Sequence, residues 1–151
     1  MSDNWVTIIP EDARHVPSED CQNQALAYFR KIAPNADEID TAVDESIEFR
    51  DCGVNFERVF CPSCNTEMTM GQWSNLMDSD QNPNGFRLGR HRMPCCGERH
   101  TLHELRYEWT QGFGRFELSA MNPSIGRLSE EQESEFCRRL GCPVRVIYQH
   151  I

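Results

Sequence analysis

A chain of 151 residues is long enough for one domain with a real core and an inserted substructure. Its 24 acidic against 15 basic side chains give a net charge of −9, which disfavours phosphate backbones and attracts basic partners. No stretch approaches the roughly 20 apolar residues that span a bilayer, and Met1-Ser2-Asp3-Asn4-Trp5 lacks the basic start and apolar run of a secretory signal.

A cytoplasmic location is therefore expected, and in a reducing compartment clustered cysteines favour metal over disulfides. The negative charge is uneven. Residues 1–60 hold 13 acids and 5 bases, residues 61–116 hold 6 of each, and residues 117–151 hold 5 acids and 4 bases. The acidity is densest from Asp37 to Glu57. Among the bases, 14 are Arg and one is Lys31; arginine suits fixed, bidentate pairs with carboxylates.

Along the chain, Trp5-Val6-Thr7-Ile8-Ile9 reads as a short strand stopped by Pro10. Ser18 is a candidate N-cap, followed by Glu19 and Asp20 in a first turn where the helix dipole favours acids. Ala25, Leu26, Phe29, Ile32 and Ala33 recur at helical spacing, so a helix is expected over 18–33, ended by Pro34-Asn35. Residues 36–45 are acidic and weakly patterned, and a loop with at most a short strand is expected there. Ile47-Glu48-Phe49-Arg50 and Phe56-Glu57-Arg58-Val59-Phe60 alternate as strands, with Gly53 and Asn55 between them, and could form a hairpin.

Met70 to Ser79 can form a short helix carrying Trp73, Leu76 and Met77 on one side. Asp80-Gln81-Asn82-Pro83-Asn84-Gly85 is turn chemistry, and Phe86 to Met93 is expected to resume as a strand. Thr101 can cap a short helix bearing Leu102, Leu105 and Tyr107. After Gly112-Phe113-Gly114, a strand puts Phe116, Leu118 and Ala120 on one face and ends at Asn122-Pro123. Ser129-Glu130-Glu131-Gln132 is a capping box, and its helix runs through Phe136, Cys137 and Leu140 to Gly141. Val144, Val146 and Tyr148 alternate in a last strand.

The expected fold is a single α+β domain over 1–151: a small antiparallel sheet with two main helices, compatible with a ferredoxin-like order. A zinc-ribbon or treble-clef-like unit, residues 58–107, interrupts it. Two turns define that unit. Cys61-Pro62-Ser63-Cys64 is a regular knuckle, two intervening residues letting both sulfurs face one ion at about 2.3 Å. Asn65 can take the left-handed conformation usual after such a turn.

The second turn is irregular. With Met93-Pro94-Cys95-Cys96-Gly97 laid over Cys61-Pro62-Ser63-Cys64-Asn65, Cys96 matches Cys64 and Gly97 matches Asn65, but Met93 stands where the first thiol should be. Cys95 is the nearest replacement and His100 the runner-up, with His91 and His103 as further options. The alternative is four reduced cysteines without metal. A Cys-rich zinc site is electron-rich, a poor Lewis acid and normally closed, so a structural role and no enzymatic activity are expected. His100-Thr101-Leu102-His103-Glu104 lacks the His-Glu-x-x-His order, and Gly112-Phe113-Gly114 lacks the third glycine of a phosphate loop.

Cys21, Cys52, Cys137 and Cys142 stand alone and read as small buried apolar residues, and Trp5, Trp73 and Trp109 as core. Arg87, Arg90, Arg92, Arg99, Arg106 and Arg115 flank the zinc unit, but acids offset them, which argues against nucleic acid.

The Cys-Pro-Ser-Cys turn, Met93-Pro94-Cys95-Cys96-Gly97, Leu102-His103-Glu104-Leu105-Arg106-Tyr107, Gly112-Phe113-Gly114-Arg115-Phe116 and Asn122-Pro123 resemble a pattern in a group of small, mostly uncharacterised bacterial zinc-ribbon-containing proteins. The resemblance covers residues 58–151. It implies that Cys95 and Cys96 both belong to the motif, completing a set of Cys61, Cys64, Cys95 and Cys96, and it weakens the histidine option. No activity comes with it. The expectation for function is a non-enzymatic zinc protein that meets a basic protein partner at its acidic N-terminal half, with a nucleic-acid-associated factor and a metalloenzyme as alternatives. No membrane partner is expected.

Overall fold

The computed structural model describes residues 2–151. Four long strands and two helices form the frame. Strand β1 is Asn4–Pro10, helix α1 Glu19–Ile32 and strand β2 Glu38–Arg50. The chain then leaves the sheet through β3 (Arg58–Phe60), helix α2 (Met70–Asp80), the short strands β4 (Gln81–Asn82), β5 (Gly85–Phe86), β6 (His91–Arg92) and β7 (Arg99–His100), and β8 (Arg106–Glu108). It returns as β9 (Gly112–Met121), α3 (Glu130–Leu140) and β10 (Val144–His150).

The main sheet runs β10-β1-β9-β2-β5-β4, and every pairing in it is antiparallel. β1 and β2 both pair with β9, so β1-α1-β2 is a βαβ unit split by β9. β9 and β10 both pair with β1, so the second unit is split in turn. The ferredoxin-like order expected from the sequence is the order of the four long strands.

Local chemistry explains the frame. β1 is central, and Val6, Thr7, Ile8 and Ile9 are all buried, as a strand covered on both faces requires. Val6 and Ile8 join Phe116, Leu118 and Ala120 of β9 under the two helices, where α1 contributes Ala25 and Phe29 and α3 contributes Phe136 and Leu140. The Phe136 ring meets Phe29 edge-on at 5.1 Å and Tyr28 at 5.0 Å. Ser18 Oγ accepts from Cys21 N to cap α1, with Glu19 and Asp20 in the first turn and Arg30 and Lys31 in the last. α3 carries the reciprocal Ser129–Gln132 box and stops at Gly141, whose φ of 76° is left-handed.

Four local expectations are corrected. Residues 36–45 belong largely to β2, because the well-patterned β9 supplies a partner that a local reading cannot see. Ile47–Arg50 and Phe56–Phe60 do not form a hairpin: the first pairs with β9, and β3 pairs with β8. Phe86 to Met93 is not one strand. Buried Asp80 accepts from Leu88 N and Gly89 N, at 2.8 Å each, and Leu88 takes a positive φ that breaks the run. Thr101 does cap a helical turn, but it is a 3-10 turn over Leu102–Glu104, and Tyr107 falls in β8.

A second core packs the interrupting segment against the frame. Val59, Met68, Met93, Leu102, Leu105 and Tyr107 surround Phe113 of β9, with Phe49 and Trp73 at the margin. Tyr107 Oη donates to Leu102 O and accepts from Trp73 Nε1, so its buried hydroxyl is satisfied. No helix among the described residues is long and apolar enough to cross a membrane.

Candidate metal centre

Two hairpin turns present the thiols. β3 delivers the chain into Cys61, whose N–H donates to Thr66 O; Asn65 N closes the turn on Cys61 O at 2.9 Å, and Asn65 sits at φ 62°. The β6–β7 hairpin repeats this. Met93 N donates to Glu98 O, Gly97 N closes on Met93 O at 2.9 Å, and Gly97 sits at φ 78°. The two turns are thus the same backbone device. Met93 occupies the position of Cys61, but its thioether is buried in the second core.

The sulfurs of Cys61, Cys64, Cys95 and Cys96 all lie within 4.8 Å of one another. Cys61 Sγ is 3.7 Å from Cys96 Sγ and Cys64 Sγ 3.3 Å from Cys95 Sγ. A tetrahedron with metal–sulfur bonds of about 2.3 Å has sulfur–sulfur edges of about 3.8 Å, so the cluster has the dimensions of a four-thiolate shell. Adjacent cysteines at 95 and 96 replace the missing first thiol. Cys61 is fully buried, and the other three are exposed.

Electrostatics points the same way. Cys64 lies 3.1 Å from Thr66 Oγ1. Hydrogen bonding from the Thr66 hydroxyl and backbone draws the Cys64 thiol down to about 6, with a smaller contribution from Cys95. Desolvation and the neighbouring sulfurs push Cys95 up to about 12. Four thiols this close cannot all ionise alone, and a bound cation removes that conflict. Thr66 had no signal in the sequence, since its role depends on the turn that brings it back to Cys64.

The histidines serve elsewhere. His100 Nε2 meets Ser63 Oγ and its Nδ1 faces Glu104 Oε2 at 3.4 Å. His91 Nε2 lies 2.9 Å from Asp80 Oδ1. His103 is buried; its Nδ1 accepts from Phe113 N at 2.9 Å and its Nε2 faces Glu11 O at 2.7 Å. None belongs to the thiol cluster.

Among the other cysteines, Cys52 is fully buried and its thiol is raised to about 11 by desolvation and by Asp51. Cys21, Cys137 and Cys142 are only partly buried. Trp109, expected in the core, is 38% exposed. No family model, curated protein or solved structure matches this chain, so the reading of the site rests on its own geometry.

Proposed function

We propose that this chain is a zinc-binding, non-enzymatic interaction protein, in which Cys61, Cys64, Cys95 and Cys96 hold a structural zinc ion. The observation that carries the reading is the four-sulfur cluster of tetrahedral dimensions. Tetrahedral four-thiolate sites suit zinc, or iron in redox proteins, and a filled shell leaves no position for substrate or water. Metal analysis of the purified chain tests it: the expected result is zinc bound in wild type and lost when Cys64 or Cys95 is changed to Ser. Retention of metal after all four Cys→Ser changes would sink the proposal.

The partner surface we propose is the acidic edge of β2. Between Glu38 and Val43 this strand pairs with β9 alone, so its other backbone edge has no partner strand among the described residues. Glu38 and Asp40 lie along it, Asp44 and Glu45 follow just beyond, and Val43 is 51% exposed. Such charges protect an open edge from self-pairing, and they also steer a basic partner towards it. A bacterial immunity or inhibitor protein acting on a basic toxin is the concrete form of this reading. Affinity for such a partner should weaken with salt, and an unchanged affinity after Glu38→Lys with Asp40→Lys would overturn it.

One observation favours the nucleic-acid reading. Arg90, Arg92 and Arg99 are exposed together on and beside the β6–β7 hairpin. Against it, the guanidinium groups of Arg87, Arg106 and Arg115 are engaged with Ser79 O, Asn65 Oδ1 and Asp44 O. Fluorescence anisotropy with labelled single-stranded and duplex oligonucleotides at low salt discriminates the two, the protein-partner reading expecting no saturation.

A further inference from the structure

After β9 the chain turns out of the sheet as Asn122-Pro123-Ser124-Ile125-Gly126-Arg127. Asn122, Ser124 and Gly126 adopt φ of 48°, 57° and 66°. The loop is tied at its root: Asn122 Oδ1 accepts from Asn4 N at 2.9 Å, and its Nδ2 donates to Asp3 Oδ1 and Asp37 Oδ2 at 3.0 and 2.8 Å. It arches over the ends of β1 and β10 and leaves a cleft of about 600 Å³. That lies within the range of about 300–1,000 Å³ typical of small-molecule sites.

The cleft differs in kind from the rest of the surface. Of its fourteen lining residues none is Asp or Glu, in a chain that has 24 of them. Trp5, Trp109, Tyr148 and Ile125 supply apolar wall, and Arg127 the only fixed charge. The Arg127 guanidinium carbon sits 5.0 Å from the Trp109 ring centre and 4.8 Å from that of Tyr148. Tyr148 Oη accepts from Leu128 N at 2.9 Å, which holds that ring in place. Among the described residues Arg127 has no ion-pair partner. Asp3 and Asp37 are engaged with Asn122, and Glu57 and Glu108 line an adjoining cleft that shares Trp109, Arg127 and Tyr148 with this one but form no ion pair with Arg127.

We propose that this cleft binds a small planar organic anion carrying a single carboxylate. Ring stacking uses the faces of a guanidinium and leaves its in-plane N–H donors free, which is the geometry for a bidentate carboxylate. The two tryptophans give the planar body its contact area at little entropic cost. A single unpaired positive charge, with no second fixed cation in the cleft, matches a monoanion better than a phosphate dianion inside a chain of net charge −9.

The test is a titration of the full chain with 2-naphthoate, 2-naphthamide and 2-naphthyl phosphate, followed by proton–nitrogen NMR. With naphthoate, the indole N–H signals of Trp5 and Trp109 should shift saturably, while that of Trp73, bonded to Tyr107 outside the cleft, stays still. Naphthamide should bind about tenfold more weakly, the discrimination expected of one charge-assisted contact. Arg127→Gln should weaken naphthoate by a similar factor, whereas Arg138→Gln, on the exposed side of α3, should not. Absence of saturation, equal binding of acid and amide, or an unaffected Arg127→Gln overturns the proposal. Tighter binding of the naphthyl phosphate also overturns it, assigning the cleft to phosphate esters. If Arg127→Gln loses spectral dispersion, the acid-against-amide comparison on the wild-type chain still decides.

Discussion

Met93 shows how much one side chain decides at the metal centre. Its backbone makes the same turn as Cys61, yet its side chain is 2% exposed and packs with Val59, Met68 and Leu102. The position matching Cys61 has been turned into core, and Cys95 brings its sulfur to the cluster instead. Met93→Ala should therefore cost about 2–5 kcal/mol of stability by opening a cavity, while the stoichiometry of the proposed metal stays unchanged; urea unfolding and metal analysis on the same preparation separate the two effects. His103 makes a second residue-scale case. Desolvation, reinforced by the Arg145 charge, lowers it from 6.5 to about 4, so the folded chain keeps it neutral. Between those values the unfolded chain holds a proton that the folded chain does not. Stability from this group is complete above pH 6.5 and is lost as pH falls towards 4, by on the order of 2–3 kcal/mol. Urea midpoints at pH 7.5 and 4.5 should differ less in His103→Gln than in wild type.

At the scale of elements, the interrupting segment is held to the frame by few backbone seams. One is Gly53, which bridges His150 at φ 66°, with Val54 N donating to His150 O and His150 N to Cys52 O. A Cβ there would collide with His150 O, and glycine takes this φ at no steric cost. Gly53→Ala should release the 52–54 segment from β10, seen as faster amide exchange at Val54 and His150. Within the segment itself, Asp80 at the end of α2 is an internal tie, its carboxylate accepting from Leu88 N and Gly89 N and meeting His91 Nε2. Asp80→Ala leaves the buried Leu88 N–H unpaired and should cost about 1–3 kcal/mol in urea unfolding, the exposed Gly89 N–H turning to water. Neither contact was legible from sequence. Gly53 read as an ordinary turn residue, and Asp80 as the start of a polar turn, because each role depends on a partner distant in the chain or beyond a loop.

For the whole molecule, the two cores predict two responses to metal loss. The frame core under α1 and α3 contains no thiol ligand, whereas Cys61 lies inside the second core with Met93 and Phe113. Chelation should raise amide exchange first across residues 58–108 and last in β1 and in Leu118–Ala120. Simultaneous loss of protection in both regions would show that the metal holds the whole fold together. The structural zinc proposed above would contribute on the order of 10 kcal/mol, as in other small zinc domains, so the effect should be large at neutral pH.

What the sequence determined by itself is everything encoded over a few residues. The helix caps at Ser18 and Ser129, the stop at Gly141, the alternation of β9 and the two thiol turns are local chemistry, and the structure retains each of them. The order of long strands followed, since a strand–helix–strand pattern met twice has few ways to close one sheet. Tertiary structure alone decided the rest. It made a strand of the acidic 38–43 segment by pairing it with β9, brought Cys95 to the other three sulfurs while seating His100 on Ser63, and set Arg127 against two rings beside a cleft without acids. These outcomes depend on which distant groups meet, and no local pattern carries that information.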